Sequence, residues 1–510
     1  MKRANVDDEI SLVAKKPRAL DPEVEKAIPE RFEVATTDDL AAILGKATRG
    51  SVLTFAAGEH ICGVDVTVDL TLEGADDATL VCTTERPTLR VSSTVIIRGL
   101  ALKHAKDDSL PIVSQPTCVE VLQGGNLTLD NCKVSGSGHG LEITGASATM
   151  KNCVISHTGG RAALWKEGAK GSMDSCEVSD TQGLVVDGPE SELSLKECKI
   201  SRNAFDGVLV TDGAKAISDG CEIYENAVGV RVDGQQSQVT LDGCQLHGNR
   251  EDGLLVQGEG KGVLTSSSFF NNEGTGVHVQ EKSEICLTDC KMFDDKEGGV
   301  AITDGSRAII TGCEVYRNGE SGLRVETSTV AVTDCQLHDQ DGAGVLVLDA
   351  GKARVTDCDI FDNATEVRVE VSQVQMLGTK VHSNADHESE GFLIMHGGQA
   401  VIQNCQMQNT AVQVANNAQA LVDRCSLEGE GDVTFMDGCT GSVRQCTFAA
   451  GSSNIVNEGA GAVNVEGCTR EGESVTGTHI DAPPSPSFTA DTMLDPRTSI
   501  HDRATAASTN

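Results

Sequence analysis

A cysteine recurs at a fixed interval through the middle of this 510-residue chain. Between residues 198 and 358 the interval is 22 or 23 residues, and Ser267 fills the single gap in the series. We refer to this position as the Cys slot. Its central members are Cys198, Cys221, Cys244, Cys290, Cys313, Cys335 and Cys358. A period of this length predicts a solenoid, in which each repeat packs only against its two neighbours.

Each repeat contains three short runs of alternating apolar residues. Val239 and Leu241 stand five and three positions before Cys244, and Leu246 stands two positions after it. A glycine then introduces the third run, as in residues 229–232. Alternation with a period of two predicts strands, and the interval leaves no room for a ten-residue helix between them. The sequence therefore predicts an all-β, single-stranded parallel β-helix with three strands per coil.

Two further positions repeat in step with the slot. Five residues after it an asparagine recurs, and we expect these amides to bond along a stack of identical corners, because Asn tolerates the left-handed backbone of tight turns. Three residues after the slot, eight successive coils carry an aromatic residue: Tyr224, His247, Phe270, Phe293, Tyr316, His338, Phe361 and His382. Strict alternation places these rings outside, whereas a corner would let them turn inward and stack on one another. The sequence leaves both orientations open, and we favour packing.

This pattern resembles the right-handed parallel β-helix repeat of the pectate lyase-like superfamily. Within that group, residues 221–230 and 358–363 look most similar to the repeats of F-box only protein 11. Residues 37–58 also resemble the helical cap and first strand of the family. The resemblance covers roughly residues 33–475 and implies the right-handed fold. It implies little about activity, because the repeated residues specify how the coils stack and not which chemistry the protein carries out.

The sequence divides into three segments. Residues 1–32 are predicted to be a charged, flexible leader, and residues 33–475 the β-helix. Residues 476–510 lack alternation and are predicted to be a disordered tail.

The β-helix is expected to begin with a short helix that caps the first coil. Residues 33–49 are assigned to this helix, with Thr37 or Asp38 as its N-cap. Three apolar residues would form its buried face: Leu40, Ile43 and Leu44.

Charge and targeting signals limit the classes of partner. The chain carries 41 basic and 76 acidic residues, a formal charge of −35, which disfavours general nucleic-acid binding. The sequence shows no signal peptide and no apolar run of 18 residues, so we expect no membrane association. Nineteen cysteines then favour an intracellular location, nucleus or cytoplasm. Two basic clusters fit a bipartite nuclear import signal and predict an import receptor as partner: Lys2, Arg3, Lys15, Lys16 and Arg18.

The cysteines are interpreted as packing residues. Metal sites usually take Cys pairs two to four residues apart, and only Cys286 and Cys290 approach that spacing. We therefore predict neither a metal site nor a cofactor, and the polar cluster of His382 with residues 386–388 is interpreted as a loop. Replacing Cys244 by Ser is expected to cost roughly 1–3 kcal/mol, because a buried hydroxyl would need a partner.

Two functions stay open. The first is a non-catalytic scaffold or substrate-recognition module for a basic or extended protein partner, as the likeness to F-box only protein 11 implies, although residues 1–50 show no F-box. The second is a carbohydrate-active lyase, hydrolase or epimerase of the pectate lyase-like superfamily. Outward charged side chains are candidates for a binding face: Arg231, His278, Arg324, Asp334, Asp357 and Arg368.

An enzyme of this fold would need an acid and a base brought together from neighbouring coils. A lyase would use carboxylates on adjacent coils and an Arg or Lys base, and Asp334 and Asp357 meet only the first requirement. Gly138-His139-Gly140 is similar to one element of a polygalacturonase site, but the paired aspartates of that family have no match. The sequence therefore predicts no catalytic residue.

Overall fold

The computed structural model describes residues 29–105, 115–136, 138–384, 389–449, 454–459, 461–470 and 473–475. The basic clusters of the leader, including Lys15, lie outside the described residues. So do the tail from residue 476 onward and the predicted polar loop at 385–388. In the described part of the chain, 58 short strands and one helix follow one another in coils.

Apart from the two ends of the β-helix, every coil contributes one strand to each of three parallel sheets, and at the C-terminal end Glu473–Ser474 pairs antiparallel with Thr469–Arg470. Sheet 1 precedes the Cys slot, sheet 2 follows it, and sheet 3 follows the asparagine corner. Sheet 1 consists of Arg31–Val34, Ser51–Phe55, Leu70–Gly74, Thr94–Arg98, Asn126–Asp130, Ser147–Lys151, Lys170–Asp174, Glu192–Lys196, Lys215–Asp219, Gln238–Asp242, Lys261–Thr265, Glu284–Thr288, Arg307–Thr311, Thr329–Thr333, Lys352–Thr356, Gln373–Leu377, Gln399–Gln403, Gln419–Asp423, Thr440–Arg444 and Val463–Glu466.

The other two sheets have shorter strands. Sheet 2 consists of Gly58–Ile61, Ala78–Cys82, Ala101–His104, Lys133–Gly136, Val154–Thr158, Glu177–Ser179, Lys199–Ser201, Glu222–Tyr224, Gln245–His247, Ser268–Phe270, Lys291–Phe293, Glu314–Tyr316, Gln336–His338, Asp359–Phe361, Lys380–His382, Gln406–Gln408, Ser426–Glu428, Thr447–Phe448, Thr469–Arg470 and Glu473–Ser474. Sheet 3 consists of Val64–Val66, Leu89–Val91, Val119–Val121, Leu141–Thr144, Ala163–Lys166, Leu184–Asp187, Val208–Thr211, Val230–Asp233, Leu254–Gln257, Val277–Val279, Val300–Ile302, Leu323–Glu326, Ala343–Leu348, Thr365–Glu370, Phe392–Met395, Val412–Val414, Val433–Met436 and Ile455–Glu458.

Neighbouring coils pair in parallel and in register, so a residue type that repeats with the slot forms a row along the axis. Val239 pairs with Ala216 below it and with Gly262 above it. Inward side chains of all three sheets merge into one apolar core, whereas outward positions alternate with them along each strand. The predicted solenoid with three strands per coil is confirmed.

The N-terminal cap differs from the prediction. A strand begins at Arg31 and pairs with Val52–Phe55, so the β-helix starts two residues before the predicted boundary at 33. The helix is limited to Leu40–Leu44, and Asp39 is its N-cap, accepting hydrogen bonds from the Ala41 and Ala42 amides. Asp38 instead accepts a hydrogen bond from the Ala35 amide in the preceding turn. Residues 33 and 34 therefore belong to a strand and not to the predicted helix, because they pair with Thr54 and Phe55 of the next coil. Leu40 is buried as expected.

Candidate functional site

Four of the proposed binding residues lie on the outer face of sheet 3, each at the middle of its strand. Arg231 and His278 are two coils apart. The Arg231 guanidinium donates two hydrogen bonds to the Asp206 carboxylate, at 3.0 and 3.2 Å. The His278 Nδ1 lies 3.3 Å from the Asp252 carboxylate.

The other two cations of this row repeat that arrangement. Arg324 donates to Glu326 at 2.6 Å, and Arg368 donates to Glu370 at 2.6 Å. Leu346 occupies the coil between the two arginines. Since each arginine is already bound to a carboxylate of this chain and His278 contacts one, the sheet 3 face presents paired polar groups separated by apolar side chains.

Asp334 and Asp357 lie elsewhere, so the six candidates do not form one face. Both are exposed at the corner between sheets 1 and 2, just before the Cys slot, with φ of 54° and 53°. They belong to adjacent coils, but the cations of sheet 3 are on another side of the coil. The Gly378 backbone lies directly above the Asp357 carboxylate. The structure therefore does not assemble the carboxylates and base of a lyase from these residues.

The eight aromatic residues form a single column on the outer face of sheet 2, which we call the aromatic column. Successive ring centroids are 4.6–5.2 Å apart and successive ring planes differ by 2–11°. The rings stack on one another as expected, but they do so outside the coil and are partly exposed. Alternation along each three-residue strand decides this orientation, since its middle residue already points inward. Each ring covers the face of the next, so the column presents ring edges to solvent.

Two charged rows flank the aromatic column. On one side, the His247 and His382 rings lie 3.4 and 2.9 Å from the carboxylates of Glu222 and Asp359. On the other, Arg317 stacks 4.7 Å from the Tyr316 centroid and binds the Asp294 carboxylate. Between residues 222 and 382 the flanking rows hold more carboxylates than cations: Glu222, Glu225, Asp294, Glu314, Asp339, Asp359 and Asp362 against Lys291, Arg317 and Lys380. The surroundings of the column are therefore acidic.

The asparagine corner holds a buried amide ladder. The Asn226 amide and its Nδ2 both donate to the Asn249 Oδ1, at 3.0 and 3.3 Å, and the Asn249 Nδ2 donates to the Asn272 Oδ1 at 2.9 Å. Thr181 donates to Asn203 at the lower end. The predicted bonding along the stack is confirmed for these coils.

Asn384 departs from the ladder. It is exposed and its amide groups bond to the Asp362 carboxylate instead. Gln340 stands in the ladder without being an asparagine, and its Oε1 accepts hydrogen bonds from Asn318. A fixed offset in the sequence therefore identifies most ladder positions but not the coil where the corner changes shape.

Two carboxylic acids are buried in or beside this ladder. Asp295 occupies an asparagine position; its Oδ1 accepts hydrogen bonds from Asn272, while its Oδ2 has no partner among the described residues. Glu366 accepts a hydrogen bond from Asn363 at 2.7 Å, and its Oε1 is likewise unpaired there. Burial raises the pKa of both carboxyl groups to about 7. Sequence reasoning missed both, although an Asp at an Asn position is a visible signal.

The slot cysteines are buried and none forms a disulfide among the described residues. The Cys198 amide donates to the Cys221 sulfur at 3.5 Å, and the Cys198 thiol contacts the Lys196 carbonyl at 3.3 Å. Ser267 uses the same partners: its hydroxyl accepts from the Cys244 amide at 3.1 Å and donates to the Thr265 carbonyl at 2.9 Å. At Ser267 the buried partner that a slot hydroxyl needs is therefore present.

The concave site that sequence reasoning missed is a groove of about 640 Å³ over the corners between sheets 2 and 3. The turn at 202–207 is two residues longer than the turn at 180–183 below it, and this difference creates the groove. Arg202 binds Asp180 with two hydrogen bonds and lowers the pKa of that carboxyl group. Arg250 reaches across two coils to the carbonyls of Asn203 and Ala204.

The remaining candidates are structural. His139 is partly buried, its Nδ1 accepts a hydrogen bond from the Arg161 amide at 2.9 Å, and burial lowers its pKa. The described residues contain no group of three metal-ligating side chains, and within them no helix has the length and apolar character to cross a bilayer. His382 pairs with Asp359, and its proposed cluster partners at 386–388 lie outside the described residues.

Comparison with solved structures gives matches of low sequence identity and low TM-score. Pectate lyase Pel9A is 13% identical over 66% of this chain and 80% of its own, with a TM-score of 0.27. The periplasmic alginate epimerase AlgG is 11% identical over 69% and 76%, with a TM-score of 0.30. The A-module of the Azotobacter vinelandii mannuronan C-5 epimerase AlgE4 is 12% identical over 87% and 92%, with a TM-score of 0.27. These values describe likeness of fold alone.

Sequence comparison identifies the family. No curated protein shows significant similarity to the chain. The profile described as "Right handed beta helix region" matches residues 112–246 and 228–384, together more than half of the chain. This chain belongs to the right-handed β-helix family.

Proposed function

We propose that this chain is a non-catalytic scaffold that binds an extended segment of another protein along the aromatic column. The observation that carries the proposal is the column itself. Eight partly exposed rings in register make an aromatic strip roughly 34 Å long, seven coil spacings of about 4.8 Å. Such a strip suits a linear partner, because every coil offers the same contact in the same orientation.

The chemistry of the partner follows from the rings and their flanks. Because the ring faces are covered, aliphatic groups of the partner would pack on ring edges rather than stack on faces. The acidic rows beside the column favour a basic segment, and binding should weaken as salt rises. The binding residues suggested on sheet 3, Arg231 and Arg368 among them, stay a prediction, since their charges are already neutralised within the chain.

Binding of basic peptides by the purified full chain tests this function. We expect a library of extended basic peptides with aliphatic residues to contain binders, measured by fluorescence anisotropy. Replacing Phe270 and Phe293 by Ser, the residue that Ser156 and Ser179 supply in the same row, should weaken binding at least tenfold. A library without binders, or binders unaffected by the double variant, would overturn the proposal.

Two variants separate binding from folding. Gln408→Ser changes the same row above the column and should leave binding unchanged. Asp339→Asn with Asp362→Asn keeps every ring, and should weaken binding while reducing its salt dependence. Unchanged melting temperatures would assign the losses to the surface and not to unfolding.

The second candidate function is a carbohydrate-active enzyme. One observation favours it: the groove over residues 158–250 brings Asp180, Arg202, Glu225 and Arg250 together beside the exposed Phe205 ring. Glu225 lines this groove and has no side-chain hydrogen bond among the described residues, so it is the candidate general base. Turnover of an acidic polysaccharide that is lost in Glu225→Gln but kept in the Phe270/Phe293 double variant would support the enzyme over the scaffold.

The cellular context stays part of the proposal. A nuclear scaffold would use the basic clusters of the leader and an import receptor, and a role like that of F-box only protein 11 would be substrate recognition. Replacing Lys15, Lys16 and Arg18 by Ala should move a tagged protein from nucleus to cytoplasm. An unchanged distribution would remove the import signal from the proposal.

A further inference from the structure

The outer face of sheet 1 carries charges that alternate in sign in two directions. Each strand has three outward positions, which form a first, a middle and a last row along the β-helix. Three successive strands carry opposite charges in the first and last rows: Lys170 with Asp174, Glu192 with Lys196, and Lys215 with Asp219. Because these strands pair in register, the sign in each row also reverses from one coil to the next. The charges therefore form a checkerboard.

Ion pairing between coils explains only part of this pattern. Alternation along the first row lets Lys170 pair with Glu192 at 3.0 Å, and alternation along the last row lets Lys151 pair with Asp174 at 3.9 Å. The same pairs would form if every strand had like charges at its two ends. The two ends are about 13 Å apart, too far for an ion pair between them. Opposite charges at the two ends are therefore not required by contacts inside the chain.

These charges remain available to a second set of partners. The side chains of Lys170 and Glu192 are both 49% exposed, and an ion pair so exposed contributes little to stability. Lys196 and Asp219 are exposed and Lys215 is half-buried. None of these last three has an oppositely charged side chain within ion-pair distance among the described residues.

The middle row between the charges is small or apolar. At the level of the checkerboard it holds Thr149, Ser172 and Ser194, and the Ser172 hydroxyl donates to Thr149 Oγ1 at 3.2 Å. Ile217 follows and is 54% exposed. Above it the row continues with Thr240, Val263, Cys286, Ile309 and Ala331. Such a row allows another sheet to approach to the usual separation of about 10 Å and gives its exposed aliphatic side chains something to pack against.

We infer that this face joins two copies of the chain side by side, with their β-helix axes parallel and a two-fold axis along the middle row. Such an axis keeps every coil at its own level and reverses the direction of the strand. The first row of one copy then faces the last row of the other, so Lys215 faces Asp219 of the second copy and Ile217 meets its own equivalent. Contacts of this isologous kind are the commonest in homodimers.

The checkerboard favours parallel over opposed axes. With opposed axes each row would face itself in reverse order; a two-fold axis crossing Ser194, for example, would set Lys170 against Lys215. The relative sign of the first and last rows would then play no part in the contact. Only the parallel arrangement uses opposite charges at the two ends of one strand, and like charges that faced each other would oppose association.

The compatible surface is large enough for a dimer. From Asn126–Asp130 to Thr329–Thr333, no strand of sheet 1 has like charges in its first and last rows. At the next strand Arg354 would meet its own equivalent on the axis, which ends the contact. The surface so limited is about 43 Å long and about 16 Å wide, or about 700 Å² per copy. A standard interface buries roughly 800 Å² per partner.

Charge reversal and its compensation test the inference. We expect the full chain to sediment as a dimer at low salt and to dissociate as salt rises. Lys215→Glu should weaken association at least tenfold, because two carboxylates then face each other. Adding Asp219→Lys should restore association, since the strand again carries opposite charges at its ends. A full chain that is monomeric at every concentration, or a double variant as weak as the single one, would overturn the inference.

Cross-linking gives a second measurement that needs no change of charge. Thr149→Cys and Thr240→Cys place thiols at exposed middle-row positions four coils apart. In a parallel dimer each variant should cross-link to its own equivalent with a short bismaleimide, whereas opposed axes can bring at most one of these positions onto itself. The unaltered chain, whose cysteines are buried, gives the background. Cross-linking of neither variant, or of only one, would contradict the parallel dimer.

Controls separate this contact from other surfaces. Lys133→Glu reverses an exposed cation at the start of a sheet 2 strand and should leave dimerisation unchanged. The Phe270/Phe293 double variant should dimerise normally, because the aromatic column lies on sheet 2. Lys215→Glu should in turn keep its affinity for basic peptides, so failure of the proposed function and failure of the dimer can be told apart. Loss of the dimer in Lys133→Glu would show that net charge, and not this face, controls association.

Discussion

Each coil has two tight corners, the Cys slot and the asparagine corner, and a column of small side chains fills each of them. The stability of the two corners depends to different degrees on which residue occupies the column. At the Cys slot, Ser267 takes over the hydrogen bonds that a cysteine makes to its neighbours. At the amide corner, Asn249 accepts from one coil and donates to the next. A slot side chain needs only to fill space and bond locally, whereas an amide must supply both a donor and an acceptor. Repetition in sequence therefore does not by itself measure how much a position matters.

The largest effect is expected when an amide is removed. Asn249→Ala leaves the buried backbone amide and Nδ2 of Asn226 without their shared acceptor, and it removes the side-chain donor to Asn272, whose Oδ1 keeps the Asn249 backbone amide. Each unsatisfied buried group costs about 1–3 kcal/mol, so we expect a loss of about 2–4 kcal/mol in urea denaturation followed by circular dichroism. A loss below that of Cys244→Ser would reverse the comparison between the corners.

Asp295 gives a second test of this comparison, because it is a carboxylic acid at an asparagine position of the ladder. In the coils below and above, the Nδ2 groups of Asn272 and Asn318 donate to the carbonyls of Leu246 and Met292. The unpaired Oδ2 of Asp295 stands in place of that donor and can donate only when it is protonated.

A pH dependence follows from the raised pKa of Asp295. Its folded pKa of about 7 exceeds the ordinary value of about 3.9, so its contribution to stability is complete below about pH 4 and is lost as pH rises through 7. Asp295→Asn should therefore stabilise the chain by about 1–3 kcal/mol at pH 8 and change little at pH 4. Denaturation at both pH values measures this. An equal effect at the two would exclude protonation of Asp295 as the cause.

The smallest effect is expected at the slot. Cys244→Ser should cost less than about 1 kcal/mol, because the hydroxyl can bond to the Asp242 carbonyl as Ser267 bonds to Thr265, and little volume changes. Cys244→Ala keeps neither hydrogen bond nor volume and provides the control. If Ser cost as much as Ala, hydrogen bonding in the slot would be irrelevant.

The sequence predicts the parts of this molecule that depend on pairing between coils. Period-two alternation, as at Val239 and Leu241, predicts the three strands of each coil and their inward residues, because in-register pairing stacks the same position of each coil on that of the next. The aromatic orientation was not decided, since a three-residue strand such as Glu222–Tyr224 ends at a corner where either side is accessible. The groove was missed because it depends on a difference of two residues between turns. The ion pairs of Arg231 and Arg324 depend on side-chain conformations that no spacing specifies.

Because the coils pair in register, the β-helix can be lengthened or shortened only by whole coils. Deleting one complete repeat of 22 or 23 residues would join two strands whose partners have the same pattern, and the axis would shorten by about 4.8 Å. On sheet 2 such a deletion removes one ring and keeps the column continuous. On sheet 3 the loss of the coil that holds Leu346 would place Arg324 and Arg368 on adjacent coils and break their two-coil spacing. Gene duplication within this chain would therefore preserve one surface readily, while the other is conserved only when repeats are gained or lost in pairs.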